Sequence, residues 1–217
     1  MRLASGRLLQ CDGLLYAGHR VANTDNLNLR AIGLPVDSRG RITVDDQLRT
    51  SVYGIYAAGD IIGFPRLAST AIEQGRVAAS DMFGQPASYQ FTTLPLGIYT
   101  IPEVGMVGQT EEQLQQSGVP YGVGTAEFSA LVRGQILGDQ IGMLKLLFDL
   151  DRHYLLGVHV IGTSAAEILH IGHMAMLLGG TMEFLRDAVF NFPTMAEAYK
   201  AAAADGLRRH AKSPDRA

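Results

Sequence analysis

The residues with the clearest chemical potential fall in one stretch. Thr50-Ser51-Val52-Tyr53-Gly54-Ile55-Tyr56-Ala57-Ala58-Gly59-Asp60 reads as a strand over Val52 to Ala58 that ends in Ala-Ala-Gly-Asp. Asp60 then projects from the strand's carboxyl end, where α/β sheets bind their ligands, and its carboxylate can accept hydrogen bonds from sugar-like hydroxyls. Seven residues on, Leu67-Ala68-Ser69-Thr70-Ala71 opens a helix that the pattern extends over 67–83. Its small residues Ala68, Ala71, Gly75, Ala78 and Ala79 recur at helical spacing, which permits tight packing on a neighbouring layer. The free amides and positive dipole end of such a helix suit an electron-rich carbonyl, by roughly 0.3–1 kcal/mol when exposed and more when buried. Alone, Gly59-Asp60 is equally readable as a turn, and Ala68 as an ordinary helix start.

Other reactive residue types give less. Cys11 is the only cysteine, which excludes an intramolecular disulfide and any dithiol pair within the chain. It reads as a small buried residue. Glu167, His170 and His173 stand three residues apart along one helix, but a di-iron bundle needs a second Glu-x-x-His and more carboxylates, so a structural helix face is expected and no metal. His153 and His159 have no companion at ligand spacing.

Behind these residues stand elements that must position them. Leu14-Leu15-Tyr16-Ala17, within the run from Leu9, has the length of a buried strand, and Arg41 to Val44 reads as another. Asn23 to Asn28 is loop, and Ile32-Gly33-Leu34-Pro35 and Ser38-Arg39-Gly40 are turns. The character changes near Gly84-Gln85-Pro86, and from Leu94 an α+β unit is expected. Strand-like Gly97 to Ile101 continues after Pro102 into Val104 to Val107. Thr110 to Ser117 is a helix with a Thr110/Gln113 capping box and a terminating Gly118. Gly142 to Asp149 and Tyr154 to Ile161 form a hairpin about 150–153. Helices are expected over Ser164 to Leu178, capped by Ser164 and Glu167, and over Thr194 to Leu207, capped by Thr194 and Glu197. Met174, Met176 and Leu177 give the first of these an apolar surface, for burial between subunits or within one.

The chain has 217 residues, 47% hydrophobic and 18% charged, a globular composition with room for one full core and part of another. Its net charge of -3, with scattered lysines and arginines, offers no footprint for nucleic acid. No apolar run reaches the roughly 20 residues that span a bilayer. The first six residues lack the regions of a signal peptide, so a cytoplasmic protein is expected.

The strand, the Gly59-Asp60 pair, Leu67-Ala68 and Glu73-Gln74-Gly75-Arg76 together resemble the second FAD motif of the two-dinucleotide-domain flavoprotein reductases. The resemblance implies that Asp60 binds the ribityl chain and that the backbone at Ala68 meets the flavin pyrimidine edge. It extends along the chain: Leu14 to Asp25 resembles the end of the NAD(P) domain, and Tyr99-Thr100-Ile101-Pro102-Glu103-Val104 the start of the interface domain. Ala166-Glu167-Ile168-Leu169-His170-Ile171-Gly172 and Phe192-Pro193-Thr194-Met195-Ala196-Glu197-Ala198-Tyr199 look closest to the soluble, flavin-dependent pyridine nucleotide transhydrogenases, which pass hydride between NADPH and NAD through FAD. The fold class implied is α/β plus α+β: the end of an NAD(P)-binding domain over 1–30, the carboxyl-terminal part of an FAD-binding domain over 31–90, an α+β interface domain over 91–210 and a disordered tail over 211–217.

Disulfide reductases of this family end in His-Pro-Thr-x-x-Glu, whose His, from the partner subunit, is the acid/base for thiol chemistry. Here Phe192 stands at the His position, while Pro193, Thr194 and Glu197 match, and a phenyl ring carries no proton. The resemblance also implies a cis bond before Pro193. It places Gly59, Asp60, Leu67, Ala68, Phe192 and Pro193 at the cofactor, assigns no catalytic side chain and implies a homodimer using FAD with NAD(P)(H). The family's Ala-x-Gly-Arg reads Ala17-Gly18-His19-Arg20, with His19 where glycine is expected.

Family members also carry Gly-x-Gly-x-x-Gly loops for the two pyrophosphates. This chain has none; Gly122-x-Gly124 is followed by Glu127. The expectation is a truncated or split product that supplies one half of an FAD site and is inactive alone. The alternatives are a non-catalytic dimerisation module and part of a dihydrolipoamide dehydrogenase-like reductase.

Overall fold

The largely apolar runs Met143–Asp149 (β4) and Leu155–Ile161 (β5) pair as the expected hairpin, with β5 at the centre of the sheet and β4 beside it. In a computed structural model the chain divides into two compact units, Met1–Tyr89 and Gln90–Ala217. The structure describes residues 1–18, 20–85 and 93–211; His19, Pro86 and the tail from 212 onward, on which expectations above depend, lie outside them.

The second unit is an antiparallel sheet of order β1-β2-β5-β4-β3, with β1 at Leu96–Ile98, β2 at Val104–Gly108 and β3 at Tyr121–Glu127. The first strand is not continued past Pro102. The chain reverses there, with a cis Ile101-Pro102 peptide and Thr100 Oγ1 donating to Pro102 O at 2.8 Å, so that β2 runs back along β1. Between β2 and β3, α2 (Glu111–Ser117) begins at the expected capping box: Gln113 N donates to Thr110 Oγ1 and Thr110 N to Gln113 Oε1. Gly118 closes it at φ +67°. Sequence reasoning missed β3 and two short helices, α3 (Val132–Leu137) and α5 (Met182–Asp187).

Two longer helices cover the sheet. The first, α4 (Ala165–Leu177), packs on β5, β2 and β1, and α6 (Glu197–Ala211) packs on β3 and β4. Tyr199, fully buried, donates from its hydroxyl to Ile168 O at 2.9 Å and ties the two helices together. The core gathers Leu144, Leu146 and Phe148 from β4, Val158 and Val160 from β5, Leu169, Met182 and Leu185, and the small face Ala198, Ala202 and Ala203 of α6. Small residues are what let α6 lie so close. A Cβ on Gly124 would stand 2.1 Å from Ala202 O, and one on Gly122 would strike the Phe148 ring. That packing is why the chain has a Gly-x-Gly there.

Two expected caps differ. Ser164 sits at φ +59° and makes no side-chain cap; Glu103 takes that role, accepting the Ala166 amide at 3.3 Å. The last helix starts at Glu197 rather than Thr194, whose hydroxyl donates to Asn191 O at 2.7 Å, and only the Thr194 N to Glu197 carboxylate half of the box forms, at 3.4 Å.

The first unit has far less regular structure. Short 3-10 turns at Asp25–Leu27, Leu29–Ile32 and Gly59–Ile62 precede one long helix, α1 (Ala68–Met82). Its buried cluster is small: Leu34, Ile42 and Ala57, flanked by partly buried neighbours such as Val52 and Ile55. None of the strands expected in this unit forms. Leu9 exchanges backbone hydrogen bonds with Met1, but from Gln10 to Ala17 the chain forms no strand, and Leu14, Leu15 and Tyr16 are exposed, as is Cys11, contrary to its expected burial. At 41–44 only the isolated bridge Val36↔Ile42 appears. Over 52–58 the chain folds back at Gly54 (φ +77°), with Ile55 N donating to Val52 O and Arg49 bridging Tyr56.

Candidate functional site

The Gly59-Asp60 turn is built by its contact with α1. Gly59 adopts φ +82°, a left-handed geometry that glycine reaches without a Cβ penalty, and a Cβ there would meet Ala71 Cβ at 3.4 Å. Its amide donates to Gln74 Oε1 at 2.6 Å in a buried bond. Ala58 is extended and Gly59–Ile62 forms a 3-10 turn, closed by Gly63 N donating to Asp60 O at 3.2 Å. The backbone carrying Asp60 is thus held at both ends.

The Asp60 side chain is partly exposed. Arg20 Nη1 approaches its Oδ2 at 2.9 Å, and the Arg20 side chain is 70% exposed. The same arginine donates to Arg66 O, while Arg66 Nη1 donates to Arg20 O at 2.9 Å, so residue 20 is laced to the approach of α1. Oδ1 of Asp60 has no hydrogen bond among the described residues and remains available as an acceptor.

The helix opens as the small-residue pattern predicts. Leu67 is its extended N-cap, half-buried, and Ala68 and Ser69 are exposed in a first turn with no acidic side chain. Thr70 turns inward, its hydroxyl donating to Leu67 O at 2.8 Å and to Pro65 O at 3.1 Å. Unpaired first-turn amides and an uncancelled dipole therefore face outward at Ala68. At the far end Asp81 accepts from both Arg49 nitrogens and from Tyr56 Oη, clamping the Thr50–Tyr56 turn to α1. The Arg49 guanidinium, followed by Tyr56, holds the Asp81 carboxyl below the usual carboxylate range. The same carboxylate raises the Tyr56 phenol.

Phe192 and Pro193 belong to the second unit, on the segment leading into α6. Their peptide is cis, and Phe192 is exposed. Of the expected site residues, Gly59, Asp60, Leu67 and Ala68 thus come together within the first unit, and Phe192 and Pro193 within the second. The histidines fall elsewhere. His173 Nε2 lies 3.1 Å from Thr93 O, and His153 Nδ1 lies 2.5 Å from a Glu183 oxygen. No group of three or more His, Cys, Asp or Glu that could hold a metal occurs among the described residues.

Sequence reasoning quoted Gln74 within the motif but gave it no role, and it missed the Arg20–Asp60 pair. The signal for Gln74 was a polar residue in line with the buried Thr70, Val77 and Ala78 face. The Arg20 contact joins residues 40 apart, beyond the reach of any local pattern.

Two family patterns cover most of the chain. Residues 94–203 match the pyridine nucleotide-disulphide oxidoreductase dimerisation domain, and residues 1–75 match the pyridine nucleotide-disulphide oxidoreductase domain. The chain belongs to that family of oxidoreductases. Its relatives narrow the comparison: it is 52% identical to the soluble pyridine nucleotide transhydrogenase of Mycobacterium bovis over 95% of this chain and 44% of that protein. In structure it resembles LpdA from Mycobacterium tuberculosis, with TM-score 0.84 and 25% identity over 94% of this chain and 44% of the other. It also resembles RclA, a flavoprotein disulfide reductase from Escherichia coli, with TM-score 0.81 and 27% identity over 87% of this chain and 44% of the other. The chain therefore spans somewhat under half the length of the relatives it matches. No described helix is long and apolar enough to cross a membrane.

Proposed function

We propose that this chain is the carboxyl-terminal portion of a cytoplasmic, homodimeric flavoprotein that transfers hydride between NADPH and NAD through FAD. The observation that carries the reading is the Gly59-Asp60 turn seated on α1, with an open carboxylate oxygen and the amide end of the helix in one unit. These residues fit the flavin end of FAD. Asp60 Oδ1 would accept a ribityl hydroxyl, Leu67 would offer half-buried apolar surface, and the amides at Ala68 and Ser69 would stabilise negative charge on a pyrimidine carbonyl. When bound, the flavin supplies the hydride chemistry, while the protein supplies binding, orientation and electrostatics.

Phe192 separates this reading from disulfide reduction. Its phenyl ring can neither accept nor donate a proton at the position where thiol exchange needs a base, whereas hydride transfer needs none there. In the homodimer that residue and Pro193 serve the partner's flavin. In this reading 1–30 ends an NAD(P)-binding domain, 31–90 belongs to the FAD domain and 91–210 forms the interface. The pyrophosphate cradle, which no glycine pattern in the 217 residues provides, comes from residues outside this sequence. Exposed Leu14, Leu15 and Tyr16 support such a covering segment. A second reading, a dimerisation module without catalysis, draws on the core that the second unit completes by itself.

The test is to compare this chain alone with the same chain joined to the amino-terminal half of the Mycobacterium bovis relative. The joined protein is expected to hold FAD tightly and reduce an NAD analogue with NADPH, and to leave lipoamide and glutathione disulfide untouched; the chain alone is expected to bind FAD only weakly, through its half-site, and to transfer no hydride. Disulfide turnover by the joined protein would sink the transhydrogenase assignment. A joined, folded dimer that takes up no flavin would favour the second reading.

A further inference from the structure

Gln74 lies on the second turn of α1 and is 1% exposed. The two halves of its amide are treated differently. Oε1 accepts the Gly59 amide at 2.6 Å, while Nε2 is buried with no hydrogen-bond partner among the described residues. A buried N–H group left unpaired costs stability, and an apolar side chain of the same length would fill the space without that cost. Packing therefore does not account for a glutamine here; the accepting oxygen does. The Gly59 amide is buried where the turn meets the helix, out of reach of water, and Gln74 gives it its acceptor.

The placement of that bond matters. Asp60 is the residue after Gly59, and Ala68 opens the helix from which Gln74 reaches out. One hydrogen bond thus sets the position of the carboxylate relative to the amide end of the helix. We propose that Gln74 is a positioning residue for flavin recognition: it holds the Asp60 turn against α1 so that the ribityl-binding carboxylate of Asp60 and the pyrimidine-facing amides are presented as one preformed site. This rests on the flavin reading above. It adds a residue two helical turns from the helix opening that touches no ligand.

The experiment uses the isotope-labelled chain and two variants. Gln74→Met keeps the length and offers only a weak thioether acceptor; Gln74→Glu keeps an accepting oxygen. Without ligand, exchange of the Gly59 amide with solvent is expected to be about tenfold faster in Q74M, and within about threefold of wild type in Q74E. FAD is then titrated and followed by NMR at the Asp60 and Ala68 amides, where a weak half-site still reports. Affinity is expected to fall about tenfold in Q74M and to stay within about threefold in Q74E. Amides of the second unit serve as the internal control for folding.

Unchanged Gly59 exchange in Q74M would overturn the proposal. So would fast exchange with undiminished FAD affinity, or equal losses in both variants, which would make Gln74 a packing residue. If Q74M fails to fold, Q74E decides: wild-type affinity supports the accepting role and a full loss refutes it. A wild-type chain showing no saturable shift at Asp60 and Ala68 removes the flavin reading and this proposal together, whereas equal binding by wild type and Q74M removes this proposal alone.

Discussion

The two units reach order by different means. In the second, five strands, two covering helices and a continuous buried cluster supply order through apolar burial. In the first, a small buried apolar cluster of Leu34, Ile42 and Ala57 is supplemented by polar ties: Arg49 and Tyr56 on Asp81, Gln74 on Gly59, Arg20 on Asp60. The unit with the small core is also the one that carries the candidate site. A large core fixes a fold through many redundant contacts, each replaceable in part. Polar ties fix a few atoms in chosen places, which is what ligand recognition requires, and each depends on a single partner.

The comparison predicts a graded response. The largest effect belongs to Phe148, fully buried beneath α6: Phe148→Ala is expected to destabilise the second unit by about 3–5 kcal/mol. Leu34→Ala, in the small cluster whose buried members are Leu34, Ile42 and Ala57, is expected to cost the first unit about 2 kcal/mol, at the low end for such truncations. Denaturant unfolding followed by residue-resolved hydrogen exchange separates the units. Equal costs at the two positions would break the contrast.

Next comes Gly59→Ala. At φ +82° an alanine is strained by about 1–2 kcal/mol, and its Cβ would meet Ala71 at ordinary contact distance, so strain rather than clash sets the cost. Faster exchange confined to 59–63 is the expected readout; a loss spread over both units would mean that the turn is not a local device.

The smallest effect is acid sensitivity of the Asp81 clamp. The Asp81 pKa is lowered from 3.8 by Arg49, so folding is favoured by this group above that value, and the contribution is lost as pH falls below it through the folded-state pKa. As the pH falls below 3.8 the Thr50–Tyr56 segment is therefore expected to lose protection in wild type, and Asp81→Asn to show that lowered protection already at neutral pH. A variant with the wild-type acid profile would place the sensitivity elsewhere.

What could be read from the sequence follows the same division. The capping box at Thr110 and Gln113, the hairpin about 150–153 and the terminating Gly118 are local signals, and the structure has them where the residues place them. Strand β3 escaped because Tyr121-Gly122-Val123-Gly124 has poor strand propensity; its glycines serve contacts with Phe148 and α6 that are distant in sequence. The reverse failure occurred over Val52 to Ala58. Its apolar residues satisfy a strand pattern, yet no neighbouring strand pairs with them, and a turn at Gly54 gathers Val52 and Ile55 around the small cluster instead. Although the strand expected to carry Asp60 does not form, helix α1 was legible from small-residue spacing, and Asp60 beside Ala68 from the motif resemblance. Gln74 and Arg20 were not, because their roles lie in contacts across 15 and 40 residues.

The close approach of Gly124 to α6 has a consequence for the order of events during synthesis. Strand β3 leaves the ribosome some 70 residues before the helix that covers it begins at Glu197. Until α6 emerges, the nascent sheet presents Leu146, Phe148 and the bare glycine track to its surroundings. The second unit therefore completes its core only once α6 has emerged, and a ribosome stalled before residue 197 would display an uncovered apolar sheet for chaperones to hold.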